Sequence, residues 1–378
     1  MSNLMKSKNE YIPPGILPEG PSVCYRPTKF VMGLLLSRRT WQDDQKKEWG
    51  TQMKILLFGA GAVGLVYGRH LQMAGCEVSF YVREKYAEEA RQGYTLYHWN
   101  KKKALENPIR FSGFGVLTTL EEVKATEWDQ VYLCVSATAI RAGWLEDFIG
   151  AIGDKSILVS LQPGTEDREY ILQYLKDESR LVNGMISFSS YHCPMEGENP
   201  PEHGMAYWCP PMSPCTFSSS NKAAAKAVVA PLKKGKLPSK VAKDVVAFSV
   251  YPSAFLMHLV AVMEANDWSF RQTAKTGGLD LIARATREAF PILKKKFRPP
   301  VPLWLMSLPM RAFVLKTIIK LVPWVVPFNF ETFLKVHFTK VGDQTEMLIG
   351  DYMEKGEKYS LATPTIAQIH TKLQELRK

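Results

Sequence analysis

The segment Met53–Gly64, MKILLFGAGAVG, leaves the chain few ways to fold. Ile55 to Phe58 form an unbroken apolar run, the pattern of a parallel strand buried on both faces. Gly59, Gly61 and Gly64 come next in the spacing G-x-G-x-x-G, and Leu65, Val66, Tyr67, Leu71 and Met73 then recur at helical steps. Strand, glycine turn and helix in this order are the context that gives the spacing its meaning. Gly59 permits the tight turn, Gly61 lets a pyrophosphate approach the backbone, and Gly64 lets the helix pack close on the strand. Phosphates would sit on the free N–H groups at the helix start. Gly59, Ala60, Gly61, Ala62, Val63 and Gly64 are therefore the expected dinucleotide cradle.

The residue at the end of the second strand decides between two dinucleotides. Glu77–Val82, EVSFYV, reads as that strand. An acid near its end would bond a ribose 2′-OH, whereas this strand ends in Arg83. A guanidinium clamps a 2′-phosphate through two charge-assisted hydrogen bonds, which argues for NADP(H). Glu84, the next residue, offers itself to an NAD ribose instead.

Gln130–Ser136 and Ser156–Gln162 read as the next central strands, and Leu181–Ser189 as a further one. In a doubly wound sheet the C-terminal strand ends line the ligand crevice, so Ser136, Ala137, Gln162 and Gly164 should face the nicotinamide. Asn221–Lys243 reads as a short helix and a basic turn, and from Val245 onward the apolar period is helical, with another stretch at Leu279–Lys296. The expected fold class is α/β, an N-terminal Rossmann dinucleotide-binding domain followed by a mostly α-helical C-terminal domain. Expected boundaries are an extension over 1–52, the NADP-binding domain over 53–240, and a helical substrate and dimerisation domain over 241–378. The extension holds five prolines and no sustained period. A disordered arm, a targeting segment and an over-long gene start all stay open for it.

Charge and cysteine usage narrow the setting. The net charge is +11, and between Lys275 and Lys320 ten Lys/Arg face two acids. That favours an anionic cofactor, substrate or membrane surface, while no nucleic-acid-binding motif is present. Six cysteines in 378 residues make no disulfide framework, so reduced thiols and a cytoplasmic setting are the expectation. Phe30–Leu36 is too short, and wrongly flanked, for a secretory signal. His192, Cys193, His203, Cys209 and Cys215 cluster in sequence but lack paired metal-ligand spacing, so turn-linked strands are expected there and no metal site. Val301–Phe328 is very apolar yet broken by prolines and by Arg311, Lys316 and Lys320. Burial in the helical domain is the expected reading, with a basic, Trp-bearing surface for a membrane or partner as the alternative.

These features together resemble the ketopantoate reductase (2-dehydropantoate 2-reductase) family. The likeness rests on MKILLFGAGAVG, the strand closing in Arg83, the turn Leu161-Gln162-Pro163-Gly164, and the closing segment Asp343–Ile369, DQTEMLIGDYMEKGEKYSLATPTIAQI. It implies an oxidoreductase that uses NADPH to reduce a 2-oxo acid or related small carbonyl compound in a cleft between the two domains. A homodimer is one expected assembly. The resemblance assigns a lysine early in the helical domain as proton donor, followed by asparagines, but Val245–Asn266 holds no lysine. Ser136-Ala137 stands where the family has a lysine, and Gln162-Pro163-Gly164 where it has Gln-Asn-Gly. Glu346 matches the family's acid. Tyr251, His258 and Lys243 are the expected substitutes for the lysine, Tyr251 through its phenol. The alternative is a non-catalytic NADP(H)-binding protein with a partner- or membrane-facing helical domain.

Overall fold

The computed structural model describes residues 52–377, so the expected extension, apart from Gln52, lies outside the described residues. The first half runs β1 (Lys54–Phe58), α1 (Ala62–Met73), β2 (Glu77–Tyr81), α2 (Ala87–Gln92), β3 (Tyr94–His98), β4 (Ile109–Phe111), β5 (Gly115–Leu117), α3 (Leu120–Lys124), β6 (Gln130–Leu133), α4 (Leu145–Ala151), β7 (Ile157–Ser160) and α5 (Asp167–Leu175). Then come β8 (Leu181–Met185), β9 (Ser189–Cys193), β10 (Gly204–Trp208), β11 (Cys215–Ser218), α6 (Lys222–Lys234) and β12 (Ser239–Val241). Every later element is a helix: α7 (Val245–Glu264), α8 (Phe270–Lys275), α9 (Gly278–Lys294), α10 (Leu303–Ser307), α11 (Ala312–Val325), α12 (Phe330–Thr339), α13 (Gly342–Lys358) and α14 (Pro364–Leu376).

The main sheet has the order β12-β11-β8-β7-β6-β1-β2-β5, with β11 antiparallel to β8 and the strands from β8 to β5 parallel. The run of apolar residues in β1 is explained by burial on both faces. Ile55 and Leu57 enter one core beside α1, and Leu56 enters another beside α4. Val131 and Leu133 of β6 join the core of Leu56, while Tyr132 joins the other. The chain passes from β1 outward to β2 and later returns to β6 on the opposite side. The crevice therefore opens between the ends of β1 and β6, where a doubly wound sheet holds its ligand.

A second, four-stranded sheet, β4-β3-β10-β9, accounts for the 191–208 segment. Its β10 pairs parallel to β3 and antiparallel to β9, uniting strands about a hundred residues apart. The thiols in this region serve packing: Cys193 and Cys215 are buried, and Cys193 Sγ lies 3.4 Å from Glu198.

The helical part packs around α7, whose residues Val250, Ala254, Val260 and Met263 are buried with Ile282 and Phe290 of α9 and Ile366 of α14. Among the described residues α7 is the one unbroken helix long and apolar enough to cross a membrane, and most of it is inside the protein. Asp244 caps it by accepting from the Ala247 N–H. The expectation that 301–328 is buried is corrected here. Leu315 and Phe328 reach the core, but Trp304, Phe313 and Trp324 are 69%, 67% and 87% exposed. High apolar content does not say which side of a helix a neighbour covers.

Candidate active site at the glycine turn

The turn between β1 and α1 has the geometry its glycines require. Gly59 has φ +102°, a conformation disfavoured for residues with a side chain, and a Cβ there would meet the Cys134 carbonyl oxygen at 3.2 Å. A Cβ on Gly64 would lie 2.0 Å from the Gly59 carbonyl oxygen, so helix and strand touch through missing side chains. Gly61 faces open space. It precedes the first turn of α1, which has no side-chain cap and no acid, so its N–H groups are left for an anion. This end of α1 fits a pyrophosphate.

Beside it lies a cavity of about 830 Å³, lined by Gly59, Ala60 and Gly61 and by Arg83, two residues past the end of β2. Arg83 is exposed and, among the described residues, is the one Lys or Arg in the lining. Glu84, Glu89 and Asp147 also reach it. Aromatic residues form the wall: Phe58 stacks on Trp144 with ring centroids 4.0 Å apart, and Phe148 and Tyr81 pack against Phe58. Trp144 is fixed by a hydrogen bond from its indole N–H to the Ala139 carbonyl, 2.7 Å. Burial pushes the Tyr94 phenol up to about 12 and holds the His192 imidazole below its ordinary value, so both line the cavity uncharged at neutral pH.

At the other end of the crevice the expected residues are engaged by the protein. Gln162 Nε2 donates to the carbonyls of Leu133 and Val135, at 3.0 and 2.8 Å, tying the end of β7 to the end of β6. Ser136 Oγ is 2.9 Å from Thr138 Oγ1 and accepts from the Ala139 N–H. Neither lines the large cavity; Gln162 borders a separate void of about 10 Å³ with Pro163, Gly164 and Ser249.

One face of α13 lies against these strand ends. Gln344 Oε1 accepts from the Ala137 N–H at 2.8 Å, and Asp351 Oδ2 accepts from Thr165 Oγ1 at 2.6 Å. Lys355, with a side chain 14% exposed, donates to Thr165 Oγ1 at 2.6 Å and pairs with Asp351 and Glu166. Lys296 joins by donating to the Thr165 carbonyl and to Glu166, both at 2.9 Å. Burial opposes the Glu166 charge, but the two lysines outweigh it and hold the carboxyl below its ordinary value. Below this cluster Asp167, 1% exposed, pairs with Arg141 at 2.6 Å.

The residues expected to replace the family lysine are elsewhere. Tyr251 is buried, its hydroxyl donates to the Phe297 carbonyl at 2.8 Å, and burial pushes its phenol up to about 12. His258 is fully buried beside Thr286, and burial pushes its imidazole down to about 3. Lys243 is exposed before α7. Glu346 accepts from Gln374 and from Arg377, which also holds Glu264. Tyr251 and Glu346 line neither cavity. Sequence reasoning missed Trp144 and Lys355. An indole before a short helix carried no signal, whereas Asp351 and Lys355 stand at i and i+4 in the very segment that carried the family likeness.

The fold and the turn define an α/β protein whose glycine turn has the shape of a pyrophosphate cradle and whose C-terminal half is helical. Residues 55–194 match the family model described as ketopantoate reductase PanE/ApbA, and the likeness to that family stands on this part of the chain. By sequence, no curated protein matches the chain. Among solved structures it is similar to a PanE/ApbA family ketopantoate reductase from Ralstonia eutropha JMP134. That match has 16% identity and a TM-score of 0.60, covering 86% of this chain and 98% of the other. It is similar to 2-dehydropantoate 2-reductase from Geobacter metallireducens GS-15, with 14% identity and a TM-score of 0.60 over 85% and 99% of the two chains. D-mandelate dehydrogenase solved with NADH gives 16% identity and a TM-score of 0.62, over 85% and 98%. These likenesses concern the fold.

Proposed function

We propose that the protein is an NADP(H)-dependent reductase of a 2-oxo acid or related small carbonyl compound. The observation that carries this reading is Arg83 in the lining of the cavity that Gly59–Gly61 also line. The N–H groups at the start of α1 would hold the pyrophosphate, and Arg83 the 2′-phosphate. The bound nicotinamide would supply hydride to the carbonyl carbon. The D-mandelate dehydrogenase of similar fold was solved with NADH, which supports a nicotinamide dinucleotide as the cofactor.

Reduction also needs a proton for the developing alkoxide. Around the ends of β6 and β7, Lys355 is the candidate for this role: its ammonium donates to a neutral hydroxyl, Thr165 Oγ1, while it pairs with Asp351 and Glu166. Like Tyr251 and Glu346, it lines neither cavity, so substrate would have to reach it by displacing those contacts. A second reading, a dinucleotide-binding protein without turnover, is favoured by the contacts of α13 with Ala137 and Thr165, which occupy the strand ends. Following NADPH absorbance with purified protein and a panel of 2-oxo acids and ketones separates them. Turnover of one or more panel members supports the reductase; tight NADPH binding with no turnover across the panel leaves the second reading.

A further inference from the structure

We infer that α10 and α11 form a docking surface for an anionic lipid bilayer, independently of the chemistry at the glycine turn. On α11 the inward stripe is Leu315, Ile319 and Val322, of which Leu315 is buried and Ile319 packs on the helical core. The opposite stripe, Phe313, Thr317, Lys320 and Trp324, falls at helical steps of four, three and four and is exposed throughout. Leu321 and Val325, also exposed, widen its apolar part, and Trp304 and Leu305 of the preceding α10 are exposed as well. Large exposed apolar residues gathered in one segment mark a contact surface.

Charge selects the occupant. From Ala289 to Phe330 the chain has no Asp or Glu and seven Lys or Arg. Lys296 is held by Glu166, but among the described residues no hydrogen bond or ion pair engages the side chains of Arg311, Lys316 or Lys320. An apolar patch that meets a protein partner is normally depleted of lysine. Lysines interleaved with Trp and Phe suit an interface where apolar rings enter the acyl boundary and ammonium groups snorkel to phosphates. The surface lies on the bilayer and does not span it. α11 and α12 reach the hydropathy of a span only together, and they are bent by 98° at a break where Phe328 is anchored in the core.

The test is co-sedimentation of the full chain with vesicles of equal parts phosphatidylcholine and phosphatidylserine, against phosphatidylcholine alone, with brominated acyl chains as quenchers of tryptophan fluorescence. The wild type is expected to sediment with the anionic vesicles, to be quenched by brominated chains, and to be released by salt. Replacing Arg311, Lys316 and Lys320 by Gln should weaken binding by roughly fivefold per charge. The double change Trp304→Ser and Trp324→Ser should abolish quenching. Unchanged thermal unfolding of both variants shows that folding is not the cause. Failure of the wild type to sediment with either vesicle overturns the inference. So does a lipid-free dimer, seen by sedimentation equilibrium, that Trp324→Ser dissolves, since the patch would then be covered by a second copy.

Discussion

Gly64 and Gly59 meet so closely that a β-carbon on Gly64 would stand 2.0 Å from the Gly59 carbonyl oxygen. That contact sets the distance between α1 and β1, and with it the position of the N–H groups at the start of α1. Gly64→Ala should push the helix away, costing about 2 kcal/mol in urea unfolding and weakening dinucleotide binding at least tenfold. Gly61, which faces open space, should accept Ala with little loss of stability, since a Cβ there meets no atom. Equal destabilisation by the two changes would contradict this division.

Lys355 is expected to matter to turnover more than to cofactor binding. If it protonates the product oxygen, Lys355→Met should lower kcat by roughly a hundredfold or more, with NADPH affinity unchanged. Lys355→Arg, which keeps the charge beside Asp351 and Glu166, should keep the stability but recover little activity. Stopped-flow and steady-state rates on the best panel substrate check this. A Lys355→Met enzyme with wild-type kcat would confine the residue to bridging α13 and the Thr165 turn.

Asp167 is buried with one charged partner, Arg141 at 2.6 Å, and the Gly164 N–H donating to its other oxygen. Burial outweighs these and raises its carboxyl above the ordinary value. Arg141→Ala leaves that carboxylate unpaired and should cost about 3 kcal/mol. Adding Asp167→Asn to Arg141→Ala should recover part of the loss. A double variant as unstable as the sum of the two single ones would show that the pair is not coupled.

Buried imidazoles give an acid-side pH dependence. Burial lowers His70, takes His98 to about 4 and takes His258 to about 3. Each binds a proton more readily unfolded than folded, so the stability is fully present above about pH 6.5 and is lost as pH falls below it. Each fully buried imidazole contributes a slope of up to about 1.4 kcal/mol per pH unit in that window. Urea unfolding of His258→Gln between pH 7 and pH 5 should be shallower than wild type by about that slope. Identical dependences would remove His258 from the account.

The legible parts of the structure were those where chemistry is local. β1, the turn, α1 and Arg83 occupy about thirty consecutive residues, and each has a sequence pattern of its own. In the second sheet β9 and β10 were legible as turn-linked strands, but their union with β3 was not, because β3 and β10 are brought together by tertiary packing over about a hundred residues of chain. The Lys355–Thr165 contact spans 190 residues and leaves only an i, i+4 acid–base pair to read. Phe313 and Trp324 misled for another reason. A stripe of apolar residues at helical spacing signals a face that wants cover, and it does not say whether protein or another phase provides it.

A 2′-phosphate held by Arg83 would make the glycine-turn cavity an NADP(H) site. The direct measurement is calorimetric titration of NADPH and NADH into wild type and Arg83→Ala. NADPH should bind more tightly than NADH to the wild type. Arg83→Ala should weaken NADPH by about ten- to a hundredfold, the worth of a charge-assisted pair, and leave NADH nearly unchanged. Equal weakening of both, or tighter binding of NADH to the wild type through Glu84, would contradict the assignment.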